Sequence, residues 1–488
     1  MHDEYVLSRY LIASDIVSPD HHPDPSRLLF ASRTGKSLLV KERVYRHLQA
    51  GEFERIDAAT LRQLQSDEVL VPPTDDEFLD MLGKNRLAIS ETRTLSLTLQ
   101  PTANCQLGCV YCGQQHVKKN LDDDTSARIV DRIMGTLQRK RYQQLAINWY
   151  GGEPILALKQ IEDMSGRLIE RCEQAGIGFF ASMVSNGLSL KPDVYLRLQR
   201  RRVNSFQITL DGLARTHDLM RPVKAGGGSF DIILQNLVDV TALPEFAANR
   251  TSVTIRVNIN RRNHDKVVEL IDLLADRGLA TRNVGLDFRP VVDWGGNQAD
   301  RDSLAAAEFS TREIDWMLHA IQRGFQFDGI LPARTIAPCM VVMPDAEVYD
   351  AYGNIYPCYE YPYTPKYDSP KYKIGHIQSI DQVRNDQAVT REWYTDIRSG
   401  MSPCPRCPLF PVCGGGCAKQ WYNGETAARR SSSICRNGWC WTTGCANGNA
   451  GARQRRLRRP SELDSEETGR PPHPHAAPPH FTPSRSIR

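Results

Sequence analysis

The chain has 488 residues, 41% hydrophobic and 24% charged, with a formal net charge of +4. That length holds several domains with sizeable cores, and an excess of charge that the arginine-rich C-terminal tail alone can supply gives no footing for nucleic acid as a partner. No run approaches the roughly 20 apolar residues of a membrane span, and an N-terminus with Asp3 and Glu4 and no apolar core lacks a secretory signal, so a cytoplasmic protein off the membrane is expected.

Residues 1–93 contain none of the thirteen cysteines. Apolar runs at 28–32 and 37–40 flank Arg33-Thr34-Gly35-Lys36 and read as a hairpin with a Gly-containing turn. Helical patterns follow near 42–48 and 58–64, then Val69-Leu70-Val71 closed by Pro72-Pro73. A small α+β module, winged-helix-like, is the expectation; the plainer reading is an extension packed on the core.

Residues 94–326 alternate strand and helix. Strands are expected over 95–99, 145–149, 179–184, 205–210, 253–258 and 285–288. The clearest helix covers 122–137, with acids at its start, Ile129, Ile133 and Leu137 as one apolar stripe, and Arg139, Lys140 and Arg141 at its end. Such alternation implies parallel β/α units with right-handed crossovers, and six make an α/β fold with a partial (β/α)6 barrel. Barrel active sites collect at the C-terminal ends of strands. Cys105, Cys109 and Cys112 follow the first strand, where that rule places chemistry.

Residues 327–446 hold nine of the cysteines, with many Gly, Pro and Tyr, and predict a loop-rich domain held by metal rather than by a large apolar core. The tail, 447–488, is Arg-, Pro- and His-rich and is expected to be disordered. Cys172, in an apolar helical pattern, reads as a buried thiol. In a chain without an export signal, so many cysteines point to metal or catalysis rather than to disulfides.

Three cysteines cover three irons of a four-iron cube and leave the fourth open to a small molecule; standing alone, they equally suit a partial zinc site. The order C-x3-C-x2-C resembles the signature of the radical S-adenosylmethionine (SAM) enzymes, in which that open iron chelates the methionyl end of SAM. The resemblance extends to Tyr111, at the aromatic position that packs on adenine, and to Gly151-Gly152-Glu153 after the second strand. It also takes in Ser185-Asn186 after the third strand and Arg256 in the fifth, at positions that meet the ribose or carboxylate of SAM. It thus implies a [4Fe-4S] cluster on Cys105, Cys109 and Cys112, with SAM contacts from these residues. Leu210-Asp211-Gly212, followed by His217 and Arg221, resembles a segment of the SPASM branch. Asp211 reads as readily as a turn cap, and no catalytic residue is assigned beyond the SAM cluster.

Cys339 and Cys358 are spaced C-x13-G-x4-C, and Cys404, Cys407, Cys413 and Cys417 form C-x2-C-x5-C-x3-C, with Cys435 beyond. A zinc ribbon is the alternative for such pairs. The arrangement resembles the seven-cysteine SPASM pattern, which implies two auxiliary Fe–S clusters. By that resemblance Cys404, Cys407, Cys413 and Cys435 complete the outer cluster, while Cys339, Cys358 and Cys417 hold the inner one. Fully ligated relatives have a cysteine where Asp345 stands here, leaving Asp345, an open iron, Cys440 or Cys445 as the fourth inner ligand.

The resemblance implies an oxidoreductase that uses a 5′-deoxyadenosyl radical to oxidise or cross-link side chains of a ribosomally made (RiPP) precursor peptide. A low-potential ferredoxin or flavodoxin would supply the electron, and residues 1–93 would bind the leader peptide. The second reading is an anaerobic sulfatase-maturating enzyme that makes formylglycine, a family with an aspartate where Tyr359 stands here. The third is a non-catalytic iron–sulfur scaffold or electron carrier, against which the intact triplet and Glu153 speak.

Overall fold

The computed structural model describes residues 5–17, 24–140, 142–327, 331–399 and 402–423; Cys435, Cys440, Cys445 and the tail at 447–488 lie outside the described residues. Six parallel strands, Thr94–Leu99, Gln144–Trp149, Gly178–Ser185, Val203–Thr209, Ser252–Ile259 and Val284–Pro290, stand in chain order in one sheet. Each covers its expected span to within a few residues. Helices Asp123–Lys140, Leu158–Gln174, Pro192–Arg200, Phe230–Ala242, Val267–Asp276 and Ala306–Gln322 accompany them. The first of these starts where the Asp122 carboxylate accepts from Thr125 N at 2.8 Å, and it buries Ile129, Val130, Ile133, Met134 and Leu137.

Alternation along the strands creates both the core and the space inside the sheet. Leu95, Leu145, Phe179, Val253, Ile255 and Leu286 face the helices and belong to one large core. Their neighbours Ser96, Thr98, Asn148, Ser182, Thr254, Arg256 and Asp287 line a cavity on the other face. Side chains of successive strand residues point to opposite faces. With small and polar residues inside, the lumen is left open rather than packed.

The sheet does not end at these six strands. Val348–Tyr349 pairs parallel with the first strand, and Asn354–Tyr356 and Gly375–His376 continue antiparallel beyond it, giving nine strands. Residues after 331 also carry an aromatic core, which the loop-rich composition did not announce. The Tyr361 and Tyr367 rings lie 4.7 Å apart, the Trp393 and Trp421 rings 6.2 Å, and Phe410 is buried with them. Burying rings of this size supplies stability that short loops cannot.

The N-terminal residues form a three-stranded antiparallel sheet, Leu11–Val17, Ser26–Ala31 and Lys36–Lys41, with helices Glu42–Ala50, Ala58–Ser66 and Glu77–Ser90. Its first strand escaped the sequence pattern because a register shift between Ala13 and Ile16 breaks the alternation. Arg33, from the hairpin turn, is buried among Glu68, Asp75, Glu77 and Asp80. The module seats on the later cysteine segment: Ile12 and Phe30 pack with Leu409 and Val412, and Phe78 meets Phe410 edge-on at 5.0 Å.

Candidate functional site

The cysteine loop leaves the first strand and is tied down from two sides. From one side, Gly108 N donates to Pro222 O at 2.8 Å, Val110 N to Met220 O at 2.9 Å, and Lys224 Nζ to Cys105 O at 2.9 Å. From the other, Glu153 N donates to Asn104 O at 2.7 Å. Gly151 and Gly152 have φ of +78° and +55°, and a Cβ on Gly152 would stand 2.5 Å from Asn104 O. Only glycine meets both the backbone angle and the close approach.

Cys105, Cys109 and Cys112 all line a cavity of about 1120 Å³ that runs along the inner face of the sheet to the C-terminal ends of the strands, where the triplet sits. Tyr111, Gly151, Gly152, Ser185, Asn186 and Arg256 line it too, so nine of the ten residues that the resemblance assigned to SAM and its cluster share one cavity. Glu153 is the tenth and lies behind its wall. It is fully buried, and its carboxylate accepts from Ser185 Oγ at 2.8 Å, Asn186 N at 2.7 Å and Ile155 N at 3.1 Å. Burial pushes its carboxyl up while these donors pull it back. In this structure Glu153 fastens the second-strand loop to the third strand.

Burial raises the triplet thiols, Cys105 to about 12 and Cys112 to about 11, with Cys109 raised as well. Metal-free, they hold their protons, and iron must displace them. The surroundings complement sulfur charge: Asn186 Nδ2 lies 3.8 Å and Leu107 N 3.5 Å from Cys105 Sγ. Arg221, buried beside Cys109, has an Nε without a hydrogen-bond partner. His116 Nε2 lies 3.8 Å from Cys112 Sγ; burial and the neighbouring Lys224 hold its ring down to about 4 and hence neutral.

The sequence reading left Asp211, His217 and Arg221 without a role, and the structure makes them the hub beneath the cysteine loop. Tyr111 Oη donates to the fully buried Asp211 carboxylate and accepts from Arg221 Nη1 at 2.6 Å and Asn258 Nδ2 at 3.1 Å. Asn258 N also donates to Asp211 at 2.8 Å. The Tyr111 hydroxyl is therefore committed to the protein, leaving its ring at the cavity. Arg256 donates from Nε to Asn258 Oδ1 at 2.9 Å.

In the later segment, Cys339, Cys358 and Cys417 line one small cavity of about 30 Å³ with Lys419. It adjoins the barrel cavity, since Trp294, Cys339, Met340, Tyr359 and Glu360 line both. Asp345 is elsewhere, accepting from Tyr142 Oη at 2.9 Å. Cys404 and Cys407 bracket one tight turn, with Cys407 N on Cys404 O at 3.1 Å; Cys413 follows in the short helix Phe410–Cys413. Glu360 was missed from sequence; its charge acts on Cys112, Cys358 and Cys417 alike.

Thiols, donors aimed at sulfur and the orphaned Arg221 Nε suit a thiolate-bound cluster at the triplet. Among the described residues, no three His, Cys, Asp or Glu side chains are gathered as one metal ion requires. A cluster asks for wider spacing, because its cysteines bind different irons. No helix among the described residues is long and apolar enough to cross a membrane.

A family model for the radical SAM superfamily matches residues 99–290. The cysteine-type anaerobic sulfatase-maturating enzyme of Clostridium novyi is 22% identical over 350 residues, 67% of this chain and 88% of that protein. The mycofactocin maturase MftC of Mycobacterium tuberculosis is 26% identical over 343 residues, 68% of this chain and 80% of that one. Among solved structures, anSMEcpe with bound AdoMet and Kp18Cys peptide superposes with a TM-score of 0.55 at 18% identity, covering 71% of this chain and 96% of its own. Its likeness is one of fold. With the cysteine triplet and Gly-Gly loop inside the span that the family model covers, at one end of a parallel sheet, the segment 99–290 belongs to the radical SAM superfamily and the chain is a radical SAM enzyme.

Proposed function

We propose that the chain is a SPASM-type maturase that oxidises or cross-links side chains of a ribosomally made precursor peptide. The observation that carries this reading is the shared wall: the triplet and Cys339, from the second cysteine group, line one cavity of about 1120 Å³. That is room for a peptide side chain and its neighbours beside SAM. The relatives named above, a sulfatase-maturating enzyme and a mycofactocin maturase, support the substrate class.

Cys105, Cys109 and Cys112 would hold the four-iron cluster; Gly151, Gly152, Ser185, Asn186, Arg256 and the Tyr111 ring would hold SAM. When bound and reduced, that pair supplies a 5′-deoxyadenosyl radical able to take hydrogen from carbon. The chain's own part is positioning. The Gly-Gly loop lets SAM approach backbone, Glu153 keeps that loop on the third strand, and the Asp211–Tyr111–Arg221 hub holds the cysteine loop in register. Cys339, Cys358 and Cys417 would hold an inner auxiliary cluster, and Cys404, Cys407, Cys413 and Cys435 an outer one, within a domain over 327–446. Asp345, engaged by Tyr142, is not the fourth inner ligand in this reading, which leaves an open iron or a later cysteine. Residues 1–93 would bind the leader, residues 447–488 would form a tail, and a ferredoxin or flavodoxin would donate electrons.

The sulfatase-maturating reading keeps one observation in its favour. Tyr359 replaces the aspartate of that family, but Glu360 brings a carboxylate to the same wall. Co-expression with each neighbouring short open reading frame, and separately with a sulfatase peptide, followed by intact mass, decides. A loss of two hydrogens per event on a precursor peptide is the expected result; formylglycine on the sulfatase peptide alone would overturn it.

A further inference from the structure

Lys419 is a buried cation whose surroundings do not account for it. The residue is 1% exposed, and its Nζ makes no hydrogen bond to any described residue. It rests instead against two ring faces, 4.6 Å from the Trp294 centroid and 4.8 Å from that of Tyr367. A buried ammonium that gives none of its hydrogens to an acceptor is costly, and ring faces return only part of that cost. Lys419 lines the small cavity with Cys339, Cys358 and Cys417, and its charge acts on the Cys358 and Cys417 thiols. The helix Ala418–Tyr422 starts directly after Cys417, so one turn of backbone positions both thiol and cation. The acid on that lining, Glu360, is engaged by Tyr150 Oη at 3.2 Å.

We propose that Lys419 is the charge partner of the inner auxiliary cluster, its ammonium offsetting the negative charge of the thiolates of Cys339, Cys358 and Cys417 that would hold it and raising that cluster's reduction potential. This rests on the reading of those three cysteines as cluster ligands. Reduction adds one negative charge to a cluster already surrounded by thiolates, and a fixed positive charge in a dry site favours the reduced form. Lys419 thereby makes the inner cluster a better electron acceptor than the one the same three cysteines would hold without it. Trp294 and Tyr367 keep water from screening the ammonium.

The test uses the full chain, reconstituted anaerobically, as wild type, K419M, K419R and C339A. Iron and sulfide are counted, and each cluster's midpoint is followed by EPR during a redox titration; the signal lost in C339A identifies the inner cluster. K419M is expected to lower that midpoint so that its reduced-to-oxidised ratio at a fixed potential falls at least about tenfold, 59 mV for one electron. K419R restores it. Loss of inner-cluster iron in K419M but not in K419R also supports charge pairing. An unmoved midpoint in iron-replete K419M, or equal shifts or equal iron loss in both variants, overturns the role of Lys419. Wild type and C339A with the same iron content and the same signals would instead overturn the cluster itself.

Discussion

The hydroxyl of Tyr111 is the smallest feature on which the site turns. It lies between Asp211 and Arg221, both buried, and also receives a hydrogen bond from Asn258. Y111F keeps the ring at the cavity but strips partners from buried polar groups, and should cost about 1–3 kcal/mol in a denaturation midpoint; an unchanged midpoint would show that the hub carries no stability. His217 supports the same hub from below, with Nδ1 accepting from Asp211 N at 3.2 Å and Nε2 facing Ser229 Oγ at 3.2 Å. Burial, aided by Arg221, holds its ring down to about 3, against 6.5 when free. The unfolded chain therefore binds a proton that the fold refuses, so this contribution is complete above pH 6.5 and is lost as pH falls toward 3. Per pH unit in that window it weakens by about 1.4 kcal/mol. The Tm advantage of wild type over H217Q should thus be largest at neutral pH and shrink on acidification; a gap independent of pH would contradict a neutral buried ring. None of this was legible in sequence, because Tyr111 and Asp211 stand a hundred positions apart and nothing local marks their pairing. The triplet itself was legible, since its spacing is local and its chemistry narrow.

At the scale of elements, alternation along six strands was enough to predict the parallel sheet, and it also explains the open cavity on its inner face. What it did not convey is how the loops lock. The 220–224 segment clamps the cysteine loop, and the glycine after the third cysteine meets another loop backbone to backbone. A Cβ on Gly295 would fall 2.3 Å from Gly113 Cα, whereas one on Gly285, in the sixth strand, would meet nothing within 4 Å. G295A is therefore expected to cost about 1–3 kcal/mol or more by overpacking and to lower the iron retained at the triplet, with G285A as the harmless control. Equal iron and equal Tm in the two variants would refute that contact. The helix Glu77–Ser90 went unpredicted because its buried face carries Glu77 and Asn85, whose partners come from distant segments: Ser8 and Arg33 for one, Arg334 for the other.

Across the whole molecule, the N-terminal module, the barrel and the cysteine-rich segment form a chain of contacts. The module's Tyr10 and Phe78 belong to the same core as Cys358, Cys404 and Trp421, and the first barrel strand carries the later strands on its edge. The Arg33 cluster holds the module together next to that core. Removing its charge leaves the buried Glu77 crowded with three partly hydrated carboxylates, so R33M should destabilise the protein by about 2–4 kcal/mol, and R33K less, as read in thermal unfolding. Functional division across the same assembly is testable as well. C413A should still cleave SAM but yield no modified peptide; full product formation would remove the later cysteines from the reaction. The central claim, that Cys105, Cys109 and Cys112 hold the cluster that cleaves SAM, is tested most directly by 5′-deoxyadenosine formation in reduced, iron-replete protein. Wild type should form it and C109A should not; equal formation by C109A, or none from fully loaded wild type, would contradict the assignment.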